Sequence, residues 1–121
     1  MLDSNVLIYV LDDAAGPARR ALEQRTLGEV VTSAIVYAEV KRGLVARSDV
    51  ERKAAERLFG IIEPLPFDRA AARRYVALPF RRGSFDRLIA AHALALNLTL
   101  ITNNERDFAD IPDLRVENWT Q

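Results

Sequence analysis

The chain has 121 residues, half of them apolar, and its 17 basic residues balance its 17 acidic residues. This length fits one domain with enough apolar residues for a core. No apolar run approaches the roughly 20 residues of a membrane span, and the N-terminus lacks the features of a signal peptide. The absence of cysteine excludes disulfides, thiolate metal sites and cysteine nucleophiles. The composition fits a cytoplasmic protein.

Short apolar runs alternate with segments of helical periodicity along the whole chain. The first half predicts a strand at Met1–Asp3, a helix at Val6–Leu11 capped by Ser4 and Asn5, a helix from Pro17 to about Gln24, a strand at Val30–Thr32 and a helix from Ser33 to about Ala46. The second half predicts helices at Val50–Phe59, Asp68 to about Leu78 and Ser84 to about Leu96, and strands at Ile61–Leu65, Leu98–Thr102 and Leu114–Glu117. This alternation indicates an α/β fold with a parallel sheet covered on both faces.

Polar residues follow three of the predicted strands. Asp3, Ser33 and Asn103 stand at the carboxyl ends of their strands, which is where sites form in parallel sheets. Asn104 and Asp107 continue the last of these polar segments, although an ordinary Asx turn also explains them. We therefore expect a polar site at this edge of the sheet.

Three carboxylates fall beside this edge, and each has an ordinary structural explanation. Asp3 can cap a helix, and Asp86 can interact favourably with a helix dipole. Glu39 lies on an apolar helix stripe and can form a buried ion pair with Arg42. Buried carboxylates are costly unless something positive binds them, so their joint placement favours a divalent metal site. His92 is expected to be a core or interface residue rather than a metal ligand.

Arginines concentrate on both sides of Asp86. Solvated helix faces explain most such residues, and contacts to nucleic-acid phosphates are the alternative. The arginines are Arg69, Arg73, Arg74, Arg81, Arg82 and Arg87.

Four motifs in order resemble the PIN-domain family, and within it the VapC toxins of toxin–antitoxin pairs. They are Leu2-Asp-Ser-Asn-Val-Leu-Ile, Ser33-Ala-Ile-Val-Tyr-Ala-Glu-Val-Lys-Arg-Gly43, Asp86-Arg-Leu-Ile-Ala-Ala-His-Ala-Leu94 and Leu100-Ile-Thr-Asn-Asn-Glu-Arg-Asp-Phe108. The ending Arg115-Val-Glu-Asn-Trp119 is similar to the final strand of many of these proteins. The resemblance covers the whole chain and implies a single PIN domain, 1–121. It also implies a three-layer α/β/α sandwich around a mainly parallel sheet of four to five short strands.

The resemblance further implies an endoribonuclease that uses Mg²⁺, with Mn²⁺ as a substitute. The implied catalytic residues are Asp3, Glu39, Asp86 and Asn104, the metal ligands Asp3, Glu39, Asp86 and Asp107, the supporting residues Ser4, Asn5, Thr102 and Asn103, and the RNA-binding residues Arg81, Arg82 and Arg87. The family commonly has an aspartate where this chain has Asn104, so a strong second metal site is not expected. We therefore expect Asn104→Asp to preserve or raise metal affinity and activity, whereas an orienting hydrogen bond from the Asn104 amide would make both fall.

The expected partners are an RNA, such as a transfer RNA or a ribosomal RNA loop, a VapB-like antitoxin and a second copy of the chain. The antitoxin is expected to fill a groove between the Ser33–Ala46 helix and the region after Gly60. Two alternatives remain within the fold: an RNA-processing PIN nuclease without an antitoxin, and a non-catalytic PIN binding module. A receiver-like phosphorylated domain is disfavoured because it needs paired acids after the first strand and a lysine near the end of the chain.

Overall fold

The computed structural model of the protein describes residues 1–26 and 28–121. The α-helices are Ser4–Asp12 (α1), Pro17–Glu23 (α2), Ala34–Gly43 (α3), Asp49–Ile61 (α4), Arg69–Val76 (α5) and Asp86–Ala95 (α6). The strands are Val31–Ser33 (β1), Glu63–Leu65 (β2), Leu100–Ile101 (β3) and Val116–Glu117 (β4), and Glu105–Phe108 forms a 3₁₀-helix. The described residues contain no helix long and apolar enough to cross a membrane.

A single residue, Leu2, joins two pairs of strands into one sheet. β1 pairs with β2, and β3 pairs with β4, both in parallel. Leu2 pairs in parallel with Thr32 on one side and with Ile101 on the other. The spatial order is therefore β2, β1, the Leu2 segment, β3 and β4. The predicted α/β class with a parallel sheet is confirmed.

The sheet centre is also the centre of the hydrophobic core. Leu2, Leu7, Val36, Ile89 and Leu100 are fully buried and belong to one cluster. On the helices, α1 packs against α2, α3 and α4, while α5 packs against α6. Helices and the short strands therefore contribute residues to the same core.

Several element boundaries differ from the predictions for local reasons. Asp3, rather than Ser4 or Asn5, caps α1, since its carboxylate accepts the Val6 N–H at 3.2 Å. α4 continues through Gly60 to Ile61, so the predicted strand from Ile61 is shorter and begins at Glu63. Glycine commonly ends a helix by adopting a left-handed conformation, but α4 continues through Gly60.

The ends of two further helices differ in their predicted and observed positions. α3 ends at Gly43, before the predicted Ala46. Ser84 lies outside α6, although its hydroxyl accepts the Asp86 N–H at 3.2 Å. Beyond α6, Asn97 has a φ of 55°, a left-handed conformation that asparagine tolerates, and the helix ends close to the predicted Leu96.

Candidate functional site

Asp3 lies where the order of the strands reverses. The chain runs outward from the Leu2 segment to β1 and β2 on one side, and to β3 and β4 on the other. In open parallel sheets the crevice at such a reversal, beside the carboxyl ends of the strands, is the usual place for a ligand. Asp3 follows Leu2 directly, and its N–H donates to the Ile101 carbonyl at 3.0 Å. The central segment of the sheet therefore sets the position of Asp3.

Burial gives the Asp3 carboxyl unusual acid–base behaviour. The side chain is 6% exposed, and burial is the largest cause of its raised pKa. Hydrogen bonds from the Thr102 hydroxyl and the Val6 N–H partly oppose this rise in pKa, while the charges of Asp86 and Glu39 add to it. Asp3 thus faces two like charges across a poorly solvated space.

Glu39 reaches the site from α3 and is held by α1. The Ser4 hydroxyl donates to Glu39 Oε1 at 2.7 Å in a partly buried contact. Among the described residues Glu39 forms no ion pair, so the alternative explanation by a pair with Arg42 does not apply. A hydroxyl partner leaves the negative charge of Glu39 uncompensated.

Asp86 is the first residue of α6 and is half-buried. Burial is the largest cause of its raised pKa, and the charge of Asp107 raises that pKa further. The charges of Arg87 and Arg81 act in the opposite direction. Asp86 therefore interacts with Asp3 on one side and with Asp107 on the other.

The turn after β3 presents Asp107 to the site. Thr102 Oγ1 accepts the Asn104 N–H at 3.1 Å, and Asn104 Nδ2 donates to Asp107 Oδ2 at 2.6 Å. Arg81 Nη1 lies 3.7 Å from the other carboxylate oxygen of Asp107. Asn104 in this conformation therefore orients the Asp107 carboxylate through its amide NH₂.

We call Glu39, Asp3, Asp86 and Asp107 the acidic row, because the electrostatic interactions run between neighbours in that order. In the part of the chain that the structure describes, no three acidic or histidine side chains are close enough to hold one ion together. Uncompensated like charges repel one another, and this repulsion is relieved when a cation binds. The donors are all oxygens, which is the set that hard divalent ions prefer.

The supporting residues predicted from the sequence take different positions. Thr102 is buried beside Asp3 and Ser4 holds Glu39, whereas the Asn5 side chain is exposed. Asn103 Nδ2 donates to the Tyr9 hydroxyl at 3.3 Å, and Asn103 Oδ1 is buried without a partner among the described residues. Sequence reasoning missed the contribution of Tyr9, because only the packing of α1 brings it to the end of β3.

The burial of Arg87 contradicts the prediction that this residue contacts RNA phosphates. Its side chain is 1% exposed, and Nη2 donates to Asp110 Oδ1 at 2.8 Å. The same nitrogen lies 3.4 Å from the Asp107 carbonyl. A side chain buried in this way cannot meet a polyanion at the surface, so Arg87 instead connects α6 to the 3₁₀-helix region. Arg81 and Arg82 remain exposed. Asp110 was missed because it lies outside the motifs.

The predicted core position of His92 is confirmed. His92 is buried, its Nδ1 lies 2.8 Å from Ser33 Oγ, and its ring meets Phe67 edge-on. Burial is the main cause of the lowered pKa of His92. His92 therefore links α6 to the end of β1 without joining the acidic row.

Comparison with known proteins assigns this arrangement to a family. A model of the PIN domain family matches residues 1–114. The chain is similar to a tRNA(fMet)-specific endonuclease VapC of Shigella flexneri, with 31% identity over 129 residues, covering 99% of this chain and 97% of the relative. It is also 32% identical over 130 residues to ribonuclease VapC2 of Rickettsia felis, covering 98% and 96% of the two chains.

A solved structure gives the same result for the fold. A chain in the crystal structure of VapBC2 from Rickettsia felis, bound to a DNA fragment from their promoter, matches with a TM-score of 0.85 at 29% identity. The match covers 98% of this chain and 97% of that chain. The chain belongs to the PIN domain family and, within it, to the VapC group.

Proposed function

We propose that this protein is a metal-dependent endoribonuclease that acts as the toxin of a toxin–antitoxin pair. The observation that carries the proposal is the acidic row at the strand-order reversal. Asp3, Glu39 and Asp86 interact electrostatically there, and none of the three forms an ion pair within residues 1–26 and 28–121. Relatives of nearly the same length are named ribonuclease VapC2 and tRNA(fMet)-specific endonuclease VapC.

The donor set fits Mg²⁺ or Mn²⁺. Asp3, Glu39 and Asp86 would hold the ion, with Asp107 as a further ligand, because all four supply hard oxygen donors. Binding would require the cation to draw these carboxylates closer together than they lie in this structure. A bound divalent ion would supply a water of lowered pKa and positive charge to stabilise the phosphoryl oxygens. Thr102 and Ser4 would keep Asp3 and Glu39 oriented through the hydrogen bonds that they already make. Asn104 would act on catalysis through Asp107, which it orients.

The proposed substrate is RNA, and Arg81 and Arg82 would contact its phosphates. Both arginines are exposed in the loop that leads to Asp86. Phosphate contacts of this kind position a strand without reading its sequence. Selection among RNAs would then depend on the shape of the loops around the site.

The proposed antitoxin would bind beside Glu39. A groove between α1 and α3 is lined by Ile8, Leu11, Val40 and Leu44, with Glu39 in its wall. An apolar helix from a partner fits such a groove, and a partner arginine could form two hydrogen bonds with the carboxylate. We propose this groove in place of the one expected between α3 and the region after Gly60, where α4 and β2 contact α3. In support, the matched Rickettsia felis chain comes from a VapBC2 complex. A homodimer is proposed on the family resemblance.

Cleavage by the purified protein tests the enzyme. We expect Mg²⁺ or Mn²⁺ to support cleavage of a structured RNA and EDTA to abolish it. Asp3→Asn, Glu39→Gln and Asp86→Asn should each reduce cleavage at least about a hundredfold, since each removes a charged ligand. Exposed Asp113 provides a matched control, because Asp113→Asn removes the same charge outside the acidic row.

Three outcomes would overturn parts of this proposal. Undiminished cleavage by two of the three variants would exclude the site. Cleavage at full rate in EDTA that leaves a 2′,3′-cyclic phosphate would exclude metal-dependent hydrolysis. Harmless induction of the chain in cells, with no small protein from the neighbouring gene co-purifying, would leave an RNA-processing nuclease without an antitoxin.

A further inference from the structure

Two phenylalanines are exposed in the loop between α5 and α6. Phe80 is 80% exposed and Phe85 is 56% exposed, and Val76 at the end of α5 is 83% exposed. Exposed apolar side chains this close together in the chain indicate a contact that the isolated chain does not make. We call residues 79–85 the aromatic loop.

Positive charge accompanies these rings. Arg81 and Arg82 lie between the two phenylalanines, and Arg73 and Arg74 occupy the last turn of α5. All four are exposed. If a second copy of the chain packed here around a twofold axis, these arginines would face their own equivalents at a cost in free energy. A polyanion is the complementary occupant.

The aromatic loop borders the acidic row. Phe85 directly precedes Asp86, and Arg81 Nη1 lies 3.7 Å from Asp107 Oδ1. Gly83 has a φ of 72°, which lets the loop turn sharply into α6. An RNA strand bound to the aromatic loop therefore lies next to the carboxylates that are proposed to act on that RNA.

We propose that Phe80 and Phe85 stack on unpaired bases of the RNA while Arg81 and Arg82 contact the adjoining phosphates. Unpaired bases expose their faces to aromatic side chains, and a duplex hides those faces. The aromatic loop then selects single-stranded segments without reading their sequence. This inference rests on the proposed ribonuclease function and assigns its substrate preference to two named rings.

The test measures binding separately from cleavage. All variants are made in an Asp3→Asn background, and a short unstructured RNA carries one 2-aminopurine, whose fluorescence falls when it stacks. We expect Phe80→Leu combined with Phe85→Leu to weaken binding roughly a hundredfold and to abolish the quenching, because stacking contributes about a tenfold factor per base and two rings are lost. Leucine keeps the apolar character and removes the ring. Val50→Ser, at an exposed apolar position on α4, is the control.

The controls distinguish this inference from the proposed function. The same RNA annealed to its complement should bind equally to parent and double variant, and so should an RNA with abasic nucleotides. If the intact chain cleaves RNA but the double variant keeps the RNA affinity and the quenching of its parent, the stacking role alone is overturned. If the double variant instead turns a dimer into a monomer in sedimentation, with RNA binding unchanged, the loop is a contact between copies. No cleavage by the intact chain, with ring-dependent quenching, overturns the nuclease but not the stacking.

Discussion

The Ser4 hydroxyl donates a hydrogen bond to Glu39 Oε1 at 2.7 Å and thereby joins the first turn of α1 to the middle of α3. Ser4 follows Asp3 directly, so two neighbouring residues place two members of the acidic row: Asp3 itself, and Glu39 through Ser4. Asp3 is positioned by the sheet, and Glu39 by a contact between helices. The separation of the two carboxylates therefore depends on how α1 packs against α3.

Removing this hydrogen bond should weaken catalysis without unfolding the protein. We expect Ser4→Ala to lower cleavage by roughly tenfold, equivalent to about 1.4 kcal/mol, because a hydrogen bond to a charged group contributes on that order. Ser4→Thr keeps the hydroxyl and should retain most activity. Ser48→Ala removes a serine at the start of another helix, where it caps α4, and controls for general effects on helices. Equal activity of Ser4→Ala and the parent would show that Glu39 needs no such support.

Asp3→Asn should stabilise the metal-free protein at neutral pH. The folded-state pKa of Asp3 is raised above the ordinary 3.8, chiefly by burial. The folded chain therefore holds more protons than the unfolded chain between 3.8 and the raised pKa. The free energy of unfolding falls as pH rises through that window and stays lower above it. Asparagine removes this penalty and still accepts the Val6 N–H as a cap.

Thermal unfolding in EDTA at several pH values measures this effect. The melting temperature of Asp3→Asn should exceed that of the parent by a few degrees at neutral pH, and the difference should vanish below pH 3.8. Asp113→Asn should track the parent at every pH. A lower melting temperature for Asp3→Asn at neutral pH would mean that the charged carboxylate contributes more through hydrogen bonds than it loses through burial.

Loss of Arg87 and loss of Asp110 should destabilise the protein to different extents. Arg87 is buried, and its Nε and Nη1 are buried without hydrogen-bond partners among the described residues, while the Asp110 side chain is about half exposed. Asp110→Asn leaves a buried cation uncompensated and should lower the melting temperature clearly. Arg87→Met leaves a solvated Asp110 carboxylate, and it also removes a donor from the Asp107 carbonyl and a positive charge near Asp86. Because the change nearly conserves volume, it should still cost less than about 1.5 kcal/mol.

Thermal and urea unfolding of the two single variants rank these effects. Asp113→Asn again controls for loss of a surface charge. Titration with Mn²⁺ should show weaker binding to Asp110→Asn, because Arg87 would no longer hold the segment that carries Asp107. If Arg87→Met proves the more damaging change, the guanidinium stabilises the fold through contacts beyond the pair with Asp110.

Asn104→Asp should lower metal affinity and activity. The hydrogen bond from Asn104 Nδ2 to Asp107 Oδ2, at 2.6 Å, corresponds to the orienting role among the two outcomes considered for this residue. Aspartate loses the donor and sets a like charge beside Asp107. Isothermal titration with Mn²⁺ and cleavage rates should both decline severalfold, whereas Gln24→Glu, which adds the same charge at an exposed position, should change neither. Tighter Mn²⁺ binding by Asn104→Asp would restore Asn104 as a weak ligand.

The sequence by itself determined the fold class and the approximate place of the acidic residues. Strands alternating with helices lead to a parallel sheet, and residues after such strands collect at one edge. Asp3 could therefore be placed near the turn after β3 from local pattern alone. The motifs around Glu39 and Asp86 contributed to the family resemblance, which relatives only about 31% identical confirm.

Only the tertiary structure decided the partners of these residues. Arg87 read as a surface arginine, yet the packing of α6 against the 3₁₀-helix buries it and pairs it with Asp110, 23 positions away. An ion pair with nearby Arg42 was the ordinary alternative for Glu39, but α1 brings the more distant Ser4. Local pattern reports which face of a helix is apolar, whereas burial and hydrogen-bond partners depend on contacts between segments far apart in the chain. Such contacts form only when the whole core assembles.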